Sequence, residues 1–97
     1  MKRAEVLDFL LEQKQFFKTH YGVVRLGLFG SLARGEEHPH DIDIILEFES
    51  GTENLFEKKL SIKSQLESKF RLPVDILRER FLKPYARQMI FRDAVFI

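Results

Sequence analysis

The sequence predicts an α/β (α+β) fold in which a small mixed sheet is flanked by helices. Its 97 residues and 44% hydrophobic content fit one domain spanning residues 1–97. Segments with helical spacing alternate with segments of strand composition, in the order α-β-turn-β-α-β-α. No repeat, low-complexity tract or linker divides the chain.

A helix and a strand are predicted first. Residues 3–19 have apolar side chains at helical spacing, and Tyr21-Gly22 ends this helix. The apolar stripe consists of Leu7, Leu10, Leu11 and Phe17. Residues 23–29 then have the β-branched and apolar content of a strand.

A tight turn at Gly30-Ser31 follows the strand. Ser31 is expected to cap a short helical turn that runs through Arg34. Glycine lets the backbone approach a ligand, and the N–H groups of such a turn can bind anionic oxygens. The Ser31 hydroxyl can add a hydrogen bond, and Arg34 is placed to reach a phosphate or a carboxylate. The turn is therefore a candidate phosphate site.

The second predicted strand, residues 41–48, has two different faces. The face expected to be covered by helices consists of Ile42, Ile44, Leu46 and Phe48. Asp41 and Asp43 point together to the other face, where they repel each other unless a cation compensates them. Glu47 has the same parity but lies farther along, and it is interpreted as a solvated strand end.

The remaining elements are a helix, a strand, a helix and a short extended tail. They are predicted at about 53–70, 72–77, 84–92 and 94–97. The core candidates of the first of these helices are Leu55, Phe56, Ile62, Leu66 and Phe70.

Asp75 lies between Val74 and Ile76 in the third strand and so points away from their face. If the apolar faces of the two strands align, Asp75 joins Asp41 and Asp43. Three carboxylates can hold two Mg²⁺ ions roughly 3.5–4 Å apart, an arrangement used for in-line phosphoryl displacement. The expected metal ligands and catalytic residues are therefore Asp41, Asp43 and Asp75.

Three motifs, in their order along the chain, resemble those of the minimal nucleotidyltransferase (MNT) proteins of the DNA polymerase beta superfamily. They are Gly30-Ser31-Leu32-Ala33-Arg34-Gly35, Asp41-Ile42-Asp43 and Val74-Asp75. The resemblance covers nearly the whole chain and implies the nucleotidyltransferase fold. Two departures are His40, where the family usually has Ser or Thr, and a shorter loop between Ser31 and Asp41; neither removes a ligand.

The resemblance also implies roles for these residues. Gly30-Ser31 would bind the triphosphate of ATP, with Arg34 near it. Asp41 and Asp43 would ligand both metals, while Asp75 would ligand the catalytic metal and help activate the acceptor hydroxyl.

MNT proteins of this length resemble the antitoxin half of toxin–antitoxin modules whose toxin is a HEPN-domain ribonuclease. The implied activity is transfer of AMP from ATP to a tyrosine hydroxyl of that toxin. A domain this small is not expected to enclose both nucleotide and acceptor, which agrees with an acceptor on a partner protein. Two alternatives remain: an antitoxin that neutralises by binding alone, and a transferase for a small molecule such as an aminoglycoside, with the acceptor site built across a homodimer.

Composition excludes several other classes. The chain has no cysteine, which rules out disulfides, thiolate metal sites and a thiol nucleophile, and it has no apolar run near the roughly 20 residues that span a bilayer. A cytoplasmic protein is expected. The net charge of +1 argues against direct binding of nucleic acid, although residues 69–97 carry seven basic and three acidic residues.

Several other polar and aromatic residues are predicted to lie on the surface rather than in the site. His38 and His40 are interpreted as surface loop residues rather than metal or acid–base groups. Solvent-exposed positions are expected for Lys83, Arg87 and Arg92. A partner-facing aromatic patch is predicted for Phe81, Phe91 and Phe96.

Overall fold

The computed structural model describes residues 1–97 as four helices, one 3-10 turn and four strands. The helices are α1 (Arg3–Tyr21), α2 (Gly30–Ala33), α3 (Leu55–Phe70) and α4 (Pro84–Phe91), and the 3-10 turn covers Glu79–Phe81. The strands are β1 (Val23–Phe29), β2 (Ile42–Phe48), β3 (Val74–Arg78) and β4 (Val95–Phe96).

The four strands form one mixed sheet in the order β3-β2-β1-β4. β1 pairs antiparallel with β2 and with β4, whereas β2 and β3 run parallel. This confirms the predicted mixed sheet flanked by helices. The predicted extended tail is in fact a strand, because Phe96 pairs with Gly27. A Cβ on Gly27 would lie 2.8 Å from the Phe96 ring, so glycine makes room for this pairing.

One face of the sheet carries the hydrophobic core. Ile42, Ile44 and Leu46 are fully buried there, and Phe48 is nearly so, as the alternation along this strand predicts. α1 and α3 contribute the other side of the same core through Val6, Leu10, Phe17, Ile62 and Leu66. Ile45 is also buried but lies outside this cluster, since it points to the opposite face. That opposite face bears the polar residues.

Two predicted core residues are exposed, Leu11 in α1 and Phe56 in α3. A helix turns about 100° per residue, so Leu11 is rotated away from the stripe through Leu10, and Val6 takes its place. Phe56 is likewise out of line with Ile62 and its neighbours, although it is apolar. Counting apolar residues overestimated the width of each buried stripe.

The ends of two helices show how the chain enters and leaves the sheet. Gly22 adopts a left-handed conformation with φ of 77° and its N–H donates to the Lys18 carbonyl, which confirms the predicted end of α1. The predicted cap at Ser31 is wrong. α2 begins at Gly30 with Phe29 at the N-cap position, and no side chain caps it.

Candidate functional site

Three carboxylates converge on the open face of the sheet. Asp43 pairs with Asp75 in the parallel register of β2 and β3, so the two side chains point to the same face. Asp41 lies immediately before β2. Carboxylate oxygens of all three residues lie within 4.8 Å of one another. The predicted convergence is therefore present, and donor oxygens at this separation can ligand shared cations.

The three carboxylates take part in no ion pair with the rest of the chain. Burial raises the pKa of Asp43 from 3.8 to about 6, repulsion from Asp41 and Asp75 adds to this, and Arg34 opposes it. The site thus disfavours its own full ionisation, which is the state that a bound divalent cation would stabilise.

The Gly30 turn lies directly against this cluster. Phe29, the residue before it, pairs with Asp43 across the antiparallel β1–β2 ladder. Gly30 has φ of 76°, and a Cβ added to it would overlap the Asp43 carboxylate. Only glycine satisfies both conditions without strain. The local sequence therefore brings the turn and the carboxylates together.

Ser31 and Arg34 border the same region. Ser31 is half-buried and its hydroxyl makes no hydrogen bond to the rest of the chain, so it is free to donate to a ligand. Arg34 is exposed, and its Nη1 lies 3.5 Å from Oδ2 of Asp93, which follows α4. The positive charge of Arg34 also acts to lower the pKa of Asp43, against the effect of burial.

A pocket of about 290 Å³ extends from the turn towards α4. Its walls are Phe29 and Gly30 on one side and Met89 and Ile90 on the other, with charged residues including Arg34 at the rim. The space beside the turn is therefore partly apolar and open to solvent.

Glu47 differs from its prediction as a solvated strand end. Its Oε2 accepts hydrogen bonds from Arg78 Nη2 at 2.7 Å and Nε at 3.1 Å, and its Oε1 accepts one from the Arg80 N–H at 2.9 Å. Burial opposes its ionisation, but bonds from Arg78, the Phe48 N–H and the Arg80 N–H outweigh burial and lower its pKa. Glu47 links β2 to β3 and the 3-10 turn; its strand parity indicated the face but not these partners.

The other side chains singled out from the sequence lie outside the carboxylate cluster. His38 and His40 are exposed in the loop between α2 and β2, as expected. Lys83 and Arg92 are exposed without an ion pair, while Arg87 Nη2 lies 3.6 Å from Glu79 Oε1.

The predicted aromatic patch is only partly present. Phe91 and Phe96 are half-buried and pack edge to face with ring centroids 5.4 Å apart. Phe81 is strongly exposed. Two of the three rings therefore pack against each other within the C-terminal segment, and only Phe81 remains strongly exposed.

None of the helices combines the length and apolar character that crossing a bilayer requires.

Comparison with known proteins gives consistent matches. Residues 10–97 match the nucleotidyltransferase domain family. A Methanocaldococcus jannaschii protein named "Putative protein adenylyltransferase MJ1379" is 32% identical over 97% of this chain and 96% of its own length. Protein adenylyltransferase MntA of Thermococcus cleftensis is 30% identical over 96% of this chain and 93% of its own.

Solved structures share the fold. One described as a "putative minimal nucleotidyltransferase" has a TM-score of 0.75, 33% identity and coverage of 98% of this chain and 95% of its own. A chain from the complex of a tri-AMPylated Shewanella oneidensis HEPN toxin with an MNT antitoxin has a TM-score of 0.59 at 17% identity, over 97% of this chain and 66% of its own.

Proposed function

Because this chain belongs to the nucleotidyltransferase domain family, we propose that it is an adenylyltransferase that moves AMP from ATP to a tyrosine hydroxyl of a HEPN-domain ribonuclease toxin and so acts as its antitoxin. The observation that carries the proposal is the convergence of Asp41, Asp43 and Asp75 within 4.8 Å beside the Gly30 turn. The names of the adenylyltransferase relatives and of the AMPylated HEPN toxin complex support the nucleotide and the acceptor.

The carboxylates are suited to holding divalent cations, and the proposal places two Mg²⁺ ions there. All donors are hard oxygens, the three carboxylates form no ion pair within the chain, and burial together with the neighbouring carboxylates raises the pKa of Asp43 to about 6. Asp41 and Asp43 would ligand both ions and Asp75 one of them. Bound there, the ions would lower the pKa of the acceptor hydroxyl and offset the charge of the triphosphate and the departing pyrophosphate.

The chain's own groups would position the triphosphate. Backbone N–H groups of the Gly30 turn and the free Ser31 hydroxyl would donate to phosphate oxygens, and Arg34 would exchange Asp93 for a phosphate. The tyrosine oxygen then attacks the α-phosphorus. The bond from that phosphorus to the β-phosphate oxygen breaks, pyrophosphate leaves, and the hydroxyl proton passes to Asp75, the exposed carboxylate of the three.

The exposure of Asp75 is consistent with an acceptor that arrives from outside. β3, which carries Asp75, is one of the two edge strands of the sheet, and Asp75 is exposed to solvent. A partner protein could therefore bring a tyrosine to Asp75 directly, and this chain would need no acceptor pocket of its own.

The test is incorporation of labelled AMP into a co-expressed HEPN-domain protein. Wild type with ATP and Mg²⁺ is expected to label one or more tyrosines, located by intact mass and peptide mapping. Asp41→Asn/Asp43→Asn should abolish labelling, and EDTA should do the same. Equal labelling by the variant, or none by wild type, contradicts the proposal. Protection of cells by the variant would instead favour neutralisation by binding alone, and modification of an aminoglycoside by the chain alone would favour the small-molecule alternative.

A further inference from the structure

Three large side chains near the C-terminus form an exposed apolar stripe. Phe81, Tyr85 and Met89 are 69%, 76% and 48% exposed and follow one another at intervals of four residues. Tyr85 and Met89 lie one turn apart on one face of α4, and Phe81 lies on the 3-10 turn that precedes the helix. We call these three residues the α4 stripe. Large apolar side chains exposed close together in this way often mark an interaction site.

Positive charge surrounds the α4 stripe. Arg80, Lys83 and Arg92 are exposed and take part in no ion pair. The acidic residues of this segment are already engaged, Glu79 by Arg25 and Arg87, and Asp93 by Arg34. This segment therefore combines exposed apolar side chains with neighbouring cations that have no ion-pair partner, which is complementary to an acidic protein segment with apolar side chains.

Two arginines connect the segment that carries the α4 stripe to the rest of the fold. The Arg78 guanidinium lies 4.6 Å from the centroid of the Phe81 ring and is itself bound to Glu47. Arg87 on α4 forms an ion pair with Glu79 on the 3-10 turn at 3.6 Å. α4 nevertheless has no fully buried side chain, and a helix of eight residues is marginal alone. The outer face of α4 is therefore unpartnered, and a protein that packs on it would bury apolar surface that this short helix leaves exposed.

The α4 stripe ends at the candidate nucleotide site. Met89 lines the pocket of about 290 Å³ that also contacts Phe29, Gly30 and Arg34. A protein lying along the stripe would therefore reach the pocket beside the Gly30 turn.

We propose that the α4 stripe is the docking surface for the acceptor protein, which binds it through an acidic segment bearing apolar side chains. This inference rests on the proposed function, since it names where that acceptor binds. A nucleic acid fits less well, because the three carboxylates lie close by and the net charge is only +1.

The test compares two double variants of the full chain. The stripe variant is Phe81→Ser/Tyr85→Ser, which leaves Met89 at the pocket unchanged. The control is Leu11→Ser/Phe56→Ser, whose side chains are exposed to a similar extent, at 59% and 71%. Binding to the co-expressed HEPN-domain protein is measured by calorimetry, and ATP binding and thermal unfolding are measured in parallel. Each measurement is repeated in the Asp41→Asn/Asp43→Asn background, so that docking is assessed without catalysis.

The stripe variant is expected to raise the Kd for the HEPN-domain protein by at least about tenfold, while ATP affinity and folding remain near wild type. Arg80→Glu/Lys83→Glu should also weaken binding, more at low than at high salt. Loss of AMP transfer with retained stripe-dependent binding would reject the proposed function alone. Unchanged binding by the stripe variant, an equal loss in the control, or a wild-type dimer that the stripe variant dissociates would overturn the docking proposal.

Discussion

Replacing Asp43 with Asn should stabilise the metal-free protein at neutral pH. Burial and the neighbouring carboxylates raise the pKa of Asp43 from 3.8 to about 6. A difference of this size corresponds to about 3 kcal/mol at most. Because solvent reaches this half-buried side chain, we expect about 1–2 kcal/mol for Asp43→Asn. In a domain of this length, each 1 kcal/mol raises Tm by about 4–8 °C.

The pH dependence has a defined sign. Between about pH 3.8 and pH 6 the folded wild type binds more protons at Asp43 than the unfolded chain does, so its free energy of unfolding falls as pH rises through this window. Below the window Asp43 is protonated in both states. The advantage of Asp43→Asn should therefore be largest at pH 7 and nearly absent near pH 4.

Chemical unfolding at pH 7 and pH 4, with and without Mg²⁺, measures this effect. At ten times its Kd, Mg²⁺ should stabilise wild type by about 1.4 kcal/mol and the variant by less. The matched control is Asp8→Asn on the exposed side of α1, which should change stability little at either pH. An Asp43→Asn protein no more stable than wild type at pH 7, or a gap that persists at pH 4, would refute the reasoning.

Three further outcomes follow from the contacts described above. Gly30→Ala should cost about 1–2 kcal/mol in thermal unfolding and weaken ATP binding, because φ of 76° and the Asp43 carboxylate both exclude a Cβ; normal ATP affinity would contradict this. Arg34→Gln should weaken ATP binding by roughly tenfold in calorimetry yet shift Tm little, since the exposed Asp93 pair contributes about 0–1 kcal/mol. Glu47→Gln should lower the free energy of unfolding at pH 7 by about 1–2 kcal/mol, because the hydrogen bonds to Arg78 and Arg80 become weaker. The pKa of Glu47 is lowered in the folded protein, so this loss should be complete above about pH 4.5 and should shrink as pH falls through the lowered pKa. Urea titrations at several pH values measure it.

Alternation along single strands predicted the centre of the site. The opposite facing of Ile42 and Asp43 follows from backbone geometry alone, and so does that of Val74 and Asp75. If the apolar faces of β2 and β3 pack into the same core, their acidic side chains must lie together on the opposite face of the sheet. Prediction succeeded here because a local rule and the burial of the core impose the same arrangement.

Contacts between distant segments were not predictable in the same way. Glu47 appeared to be a solvated end because its partners, Arg78 and Arg80, lie about thirty positions later and reach it only in the folded sheet. The tail at Phe96 became a strand because Gly27 leaves space beside β1, which depends on tertiary packing. Serine is a favoured N-cap residue, which led to the prediction that Ser31 caps the turn. The turn instead begins one residue earlier, at Gly30, which has a positive φ.

The alternation of side chains along β2 couples correct assembly of the carboxylate cluster to correct folding of the core. If β2 slipped by a single position against β1, Asp43 would move into the core and Ile42 and Ile44 would face water. Such a molecule would forfeit its hydrophobic interior at the same moment as its carboxylate geometry. Misassembled copies should therefore unfold and be degraded rather than persist as intact but inert protein, and the copies that survive should have a correctly assembled carboxylate cluster.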